Sequence, residues 1–335
     1  MQTSEVTCQK AVLTPDGDLA VEGWARANYF AYNRDVLPRR TAGLVEADIY
    51  TLYNPGASYW ITLALIDDGF KSTRFVSFTD LRLHRSVQCS ASSRHPGRMP
   101  RLAASSSEDS WSTFLDKDCR LTLTIMKRDE KRHLIFNAPG LVLPDGSVGL
   151  LGDFSLLQER TQESISSCMG RQDDPKAFHL AQRILPLPVV SGYIRRGREK
   201  DMLAMDRSLA VLSWTRSRHM KHLGRMFSAT ALSREASFTF GYGCEKELGV
   251  LVRDGSITHL GEVDFNLHKD IMKPWMLKDA RGDVDLVFTP QCTLSPDCTG
   301  CGTTVFGHFS GTVTDAGGKI TDIDGTAGCC SLSQS

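Results

Sequence analysis

Apolar and polar side chains alternate along much of the chain. Leu121-Thr-Leu-Thr-Ile125 switches at every residue. The run 262–268 sets Val263, Phe265 and Leu267 against Asp264, Asn266 and His268, and Phe238, Phe240 and Tyr242 share one side of 237–243. Val284, Leu286 and Phe288 repeat the pattern. A period of two belongs to a half-buried strand, because successive side chains leave opposite sides of the pleat. Asp-Gly pairs punctuate these runs at 16–17, 68–69, 145–146, 254–255 and 324–325, with Ala316-Gly-Gly318 besides. Asp and Gly tolerate the positive φ that tight hairpins require. The spacing predicts hairpins over 248–260, around Arg253-Asp-Gly-Ser256, and over 311–325.

Two stretches break the rhythm. Residues 86–110 are rich in Ser, Arg and Pro and read as a surface loop. Residues 154–183 are polar, with Leu156, Leu157, Arg160 and Ile165 near helical spacing, and read as one helix and a connector. The next run, Ile184-Leu-Pro-Leu-Pro-Val-Val190, is barred from a helix interior by its prolines. A boundary near 155–180 then leaves two halves, 1–165 and 180–330. A faint likeness between 12–23 and 312–325 fits that division. Many antiparallel strands hide their edges in barrels or sandwiches. The expected fold class is therefore mainly β, antiparallel, with two barrel or sandwich halves and few helices.

Composition narrows the partners. The chain has 335 residues, 41% of them hydrophobic, enough for a packed core. Its 39 basic and 39 acidic residues cancel, so the basic excess of a nucleic-acid binder is missing and no such partner is expected. Residues 1–10 are polar, carry Glu5 and do not read as a secretory signal. The apolar run 59–66 is too short to cross a bilayer, so no integral membrane segment is expected. Ten cysteines are too sparse for a disulfide scaffold, and a cytoplasmic location with free thiols is the expectation.

Nucleotide and hydrolase motifs fail. Gly241-Tyr-Gly243 sits in an aromatic strand pattern, Gly317-Gly-Lys319 is followed by Ile320 instead of Ser or Thr, and Phe309-Ser-Gly311 lacks the leading glycine of a nucleophile elbow. No cofactor is expected. Cys298-x-x-Cys301, with Cys292, Cys329 and Cys330, has one pair at zinc spacing but no second spaced pair. Two readings stay open, free thiols or a zinc-stabilised interaction module, and no metal ligand is assigned. The basic stretch 213–225, with His219 and His222, reads as an anion contact or as a solvated turn. Overall neutrality favours the turn.

At Met272-Lys-Pro-Trp-Met-Leu277 and Asp283-Val-Asp-Leu-Val-Phe-Thr-Pro290 the chain resembles the domain of unknown function 2804 family. Gly23-Trp-Ala-Arg26, Glu46-Ala-Asp-Ile-Tyr50, Ile66-Asp-Asp-Gly-Phe70, Met205-Asp-Arg-Ser208, Trp214 and Phe306-Gly-His-Phe-Ser-Gly311 fit in order. That motif style is similar to the lipocalin-like proteins that include carotenoid hydratases and fungal cyclases. The resemblance implies paired lipocalin-like barrels with a hydrophobic small-molecule site in or between them. Fold alone does not decide function.

Two functions follow from that expectation. One is cofactor-independent hydration, isomerisation or cyclisation of an apolar substrate by acid/base groups in an aromatic pocket. Asp206 is then the acid or base, Arg207 its charge partner, and Glu245 or His219 alternatives. Trp24, Arg26, Trp214, Tyr242, Asp264, His268 and Trp275 are candidate ligand contacts. The other function is a non-catalytic carrier or sensor, which needs the cavity without a titratable group inside it.

Overall fold

Asp254 and Gly255 show how the strands are joined in this computed structural model, which describes residues 4–38, 41–94, 102–106, 108–114, 116–171, 173–219, 225–242, 249–295 and 302–334. Both have positive φ, 51° and 75°, as a two-residue hairpin turn requires. Arg253 stands opposite Ser256, and strands Gly249–Arg253 and Ser256–Leu260 pair antiparallel as the spacing predicts. The hairpin over 311–325 also forms. Thr314 lies opposite Ile320, and Asp315 Oδ1 accepts the backbone amides of Gly317 and Lys319 at 2.9 and 3.0 Å.

The fold is nearly all β, built as two curled antiparallel half-barrels. Among the described residues the first sheet has 13 strands. Its main path runs Arg85–Arg94, Lys71–Asp80, Tyr59–Asp67, Leu44–Asn54, Leu209–Arg218, Asp174–Arg196, Val148–Leu157, Lys131–Val142, Arg120–Met126, Ser110–Phe114. The second sheet has nine, from Ser256–Leu260 through Gly249–Arg253, Ser237–Tyr242, Arg225–Ala231, Ile320–Gln334, Thr303–Thr314, Val284–Leu294 and Trp275–Asp279 to Val263–Asn266. The chain changes sheet between Arg218 and Arg225, and 155–180 lies inside the first sheet. Among the described residues no helix is long and apolar enough to cross a membrane.

Two expectations are corrected. Among its described residues the stretch 154–183 holds no helix but parts of the strands Val148–Leu157, Ile165–Arg171 and Asp174–Arg196. Leu150, Gly152, Phe154 and Leu156 are buried at a spacing of two, and Leu156 pairs with Arg132 and Val189, so partners on both sides override the helix-like spacing. Residues 85–94 form a strand rather than a loop. Cross-strand hydroxyl pairs, Thr79–Ser86 and Thr73–Ser92 at 2.9 Å, stand where apolar alternation was expected to mark a strand. Such pairs leave no hydropathy signal.

Three apolar clusters follow from the curled sheets. One fills the first half-barrel, with Leu63, Phe78, Phe136, Phe154 and Phe178. A second fills the other, with Phe238, Trp275, Phe288 and Phe309. The third lies between the sheets and joins Trp60, Phe75, Leu209 and Val211 to Val250, Ile257, Leu294 and Phe306. Trp60 is fully buried there, its ring 5.3 Å from Phe306 and 4.7 Å from Tyr53. Trp60→Ala removes this contact and leaves a cavity, and it is expected to cost about 3–5 kcal/mol in urea denaturation. A loss below 1 kcal/mol would mean that the halves do not depend on this layer.

Candidate functional site

The strand Leu44–Asn54 presents Glu46, Asp48 and Tyr50 to the interior of the first half-barrel, on the face that also carries Leu44 and Leu52 of its core cluster. Its neighbour Leu209–Arg218 sets Arg216 opposite Glu46 and Trp214 opposite Asp48. These four side chains therefore share a face. Arg216 is fully buried, Glu46 is 4% exposed and Asp48 9%. Arg216 Nη1 donates to Asp48 Oδ1 at 2.8 Å and Nη2 to the carbonyl of Ala103 at 2.6 Å. The guanidinium also lies 4.1 Å from the centre of the Trp214 ring.

The short segment 30–36 supplies the next shell. Tyr32 donates its hydroxyl to Glu46 Oε1 at 2.8 Å, and Arg34 Nε lies 3.5 Å from the same oxygen. Tyr32 packs edge-on against Trp214 with ring centres 6.3 Å apart. From the far wall comes Arg132, 1% exposed, which donates to Tyr50 Oη at 3.0 Å and to Gln158 Oε1 at 2.7 Å. It also donates to the Ser106 carbonyl, while the Ser106 hydroxyl donates to Gln182. Residues 102–106 thus cross the polar end of the barrel, with backbone carbonyls on both arginines. Trp214 Nε1 is buried with no hydrogen-bond partner among the described residues.

Burial pushes the Glu46 carboxyl above the usual carboxylate range, against the pull of Arg216, the Tyr32 hydrogen bond and Arg34. Burial prevails because Arg216 approaches Glu46 only to 4.0 Å and spends its close hydrogen bonds on Asp48 and on main-chain carbonyls. Burial also raises Tyr32 and Tyr50, so both hydroxyls stay protonated at neutral pH. A raised carboxyl beside hydroxyl and guanidinium donors is equipped to give or take a proton in a site that excludes water.

Of the candidate catalytic and ligand-contact residues, Trp214 alone among those described lies in this cluster, joined by Glu46, Asp48 and Tyr50 of the Glu46-Ala-Asp-Ile-Tyr50 motif. Asp206 and Arg207 pair at 3.4 Å on an exposed turn, with side chains 73% and 71% exposed. Asp264 and His268 are exposed outside the second half-barrel, whereas Trp275 is buried within it and donates to the Ile271 carbonyl at 2.9 Å. Trp24 and Arg26 lie where the halves meet. The Trp24 ring is 5.0 Å from His259, and Arg26 donates to the Ile257 carbonyl at 3.0 Å. His219 closes the strand Leu209–Arg218, with Nδ1 2.9 Å from Asp174. Glu245, His222, Cys298, Cys301 and the Tyr242 side chain lie outside the described residues. Among those described, no three His, Cys, Asp or Glu are grouped as a metal site.

The basic stretch 213–225 is also revised: its first part is strand, and Arg216 is buried rather than solvated. The signal that points to the cluster is present in the sequence. Glu46-Ala-Asp-Ile-Tyr50 and Trp214-Thr-Arg216 each place polar or aromatic groups at every second residue. Alternation by itself does not say that this face looks inward.

Removing one partner of a buried ion pair strands the other. Arg216→Met is expected to destabilise the protein by about 3–5 kcal/mol in urea denaturation, and by less in an Asp48→Asn background. Glu46 also predicts a pH effect. Its folded-state pKa is raised, so its contribution is complete below the ordinary glutamate value of about 4.3 and is lost as pH rises through the raised value. The stability of Glu46→Gln relative to wild type should therefore increase across that rise. A flat difference in denaturation series at several pH values would show that Glu46 is not buried as described.

The family model described as domain of unknown function (DUF2804) matches residues 3–334. No curated protein matches the sequence. Among solved structures, kievitone hydratase from Nectria haematococca is similar over 97% of this chain and 99% of its own, with 10% identity and a TM-score of 0.52. CghA is similar over 87% of this chain and 88% of its own, at 10% identity and 0.53. A Nitrosomonas europaea protein assigned as AttH covers 87% and 91%, at 12% and 0.55. At these identities the likeness is one of fold.

Proposed function

Because the chain belongs to the DUF2804 family, whose model runs almost its whole length, we propose one function for the whole two-barrel unit: it takes up an apolar small molecule at the polar end of the first half-barrel and carries out proton-transfer chemistry on it without a cofactor. The observation that carries this reading is Glu46, a carboxyl 4% exposed and raised by burial, held between Tyr32 and two arginines inside the first half-barrel. Hydration, isomerisation and cyclisation all need a group that moves a proton and donors that hold the developing negative charge on oxygen. Glu46 moves the proton, Tyr32 orients it, and Arg216 and Arg132 stabilise oxygen. Trp214 offers a wall and an open N–H. A ligand reaches the arginines by replacing the carbonyls of Ala103 and Ser106.

The structural neighbours support the reaction class by analogy: one is a hydratase by name, and CghA has also been solved with Sch210972. The reading as a carrier requires an interior without a titratable group, and Glu46 and Asp48 occupy this one. The test uses apolar extracts of the source cells, incubated with the protein in ¹⁸O-labelled or deuterated water and analysed by mass spectrometry. Wild type is expected to label at least one compound, and Glu46→Gln to lose the labelling at least tenfold while still co-purifying with the compound in native mass spectrometry. Equal labelling by both proteins would remove Glu46 from the reaction. Bound compound without any labelling would make the protein a carrier.

A further inference from the structure

The first half-barrel has a seam. Its edge strands, Arg85–Arg94 and Ser110–Phe114, stand at opposite ends of the strand order, so side chains join them where no ladder is formed among the described residues. Arg74, from the strand beside the first edge, holds Asp116 at 3.1 Å. Cys89 lies on the edge strand opposite Val76 and donates its thiol to the Asp118 carbonyl at 3.2 Å. Cys119, at the entry to Arg120–Met126, is fully buried in the barrel core and directly follows Asp118, the residue whose carbonyl takes the Cys89 thiol. Both are free thiols, and Cys89 is only half-buried.

We propose that Cys89 and Cys119 are an oxidation site that takes glutathione disulfide as its oxidant and becomes a disulfide stapling the open seam of the first half-barrel. The Cys89 thiolate attacks one sulfur of glutathione disulfide, forms a mixed disulfide and expels one glutathione thiolate. Cys119 then gives up its proton and attacks the Cys89 sulfur, and the second glutathione leaves. One protein dithiol and one glutathione disulfide become one protein disulfide and two glutathione thiols, so atoms and electrons balance. The order of attack follows from the site. The neighbouring Cys119 side chain brings the Cys89 thiol down to about 7, whereas Cys89 and burial push Cys119 up. Half-buried Cys89 is thus the thiol that meets the oxidant, and buried Cys119 resolves it. Burial pushes up the thiols of Cys168 and Cys330, and that of Cys329 against the pull of Arg183, which sets them apart as slow.

The staple closes the chain loop that contains Ala103 and Ser106, whose carbonyls cap Arg216 and Arg132. Oxidation therefore acts on the cover of the polar cluster, whatever that cluster binds. The experiment exposes the reduced full-length protein to graded ratios of reduced and oxidised glutathione, traps free thiols by alkylation and maps peptides by mass spectrometry. The expected result is a Cys89–Cys119 cross-linked peptide and a higher urea midpoint that returns to its starting value on reduction. Cys119→Ser should instead keep a glutathione adduct on Cys89. If that buried variant does not fold, Cys89→Ser, at a half-buried position, should abolish both the cross-link and the midpoint shift. Full alkylation of Cys89 and Cys119 under oxidising ratios would overturn the proposal, as would pairing of Cys89 with any other cysteine.

Discussion

The strand Leu44–Asn54 has no solvent face. Every residue along it is buried or half-buried, because one side looks into the first half-barrel and the other faces the layer between the sheets. This double covering governs the molecule. It obliges Tyr59–Asp67 and Leu209–Arg218, its neighbours on either side, to supply apolar groups to both interiors. It also makes the two half-barrels share a core: Trp60 meets Phe306 only because the back of the first sheet is packed on the second.

The same covering puts charge where water cannot reach it. Glu46, Asp48, Arg34, Arg132 and Arg216 are each less than a tenth exposed. Burying such groups costs free energy that pairing returns only in part, so the cluster adds little to stability and much to the polarity of the interior. Its donors are held in place by the Ala47, Ala103 and Thr215 carbonyls around Arg216 and by Gln158 and Tyr50 around Arg132. Preorganised donors of this kind stabilise charge that develops on oxygen, since they need no further reorganisation. Cys89 and Cys119 at the seam flank, along the chain, the segment that covers them.

Much of the architecture was legible before any coordinates. Period-two runs and Asp-Gly turns predicted an antiparallel β protein, and the hairpins at 249–260 and 303–334 are joined at the turns those residues mark. The signal failed where a strand departs from the hydropathy rule. Residues 85–94 add hydroxyl pairs to their ladder, and Leu156 and Arg160 stand four residues apart, a spacing that both helix and strand can satisfy. The candidate residues are placed apart by what their strands meet. Asp206, Asp264 and His268 are polar side chains that stayed in water, whereas Glu46 and Asp48, equally polar and on an equally alternating strand, did not.

The amino-acid sequence by itself determined the strand period, the family and the turns at 254–255 and 315–319, because these depend on neighbours in the chain. Asp324-Gly325, by contrast, lies within the strand Ile320–Gln334. Only the tertiary structure decided which polar face is an interior. Alternation records that the two sides of a strand differ, and it carries no information on what each side meets. For Leu44–Asn54 both sides meet protein, and that fact depends on Arg216, Tyr32 and Phe306, residues distant in the chain and brought near by the curl and stacking of two sheets.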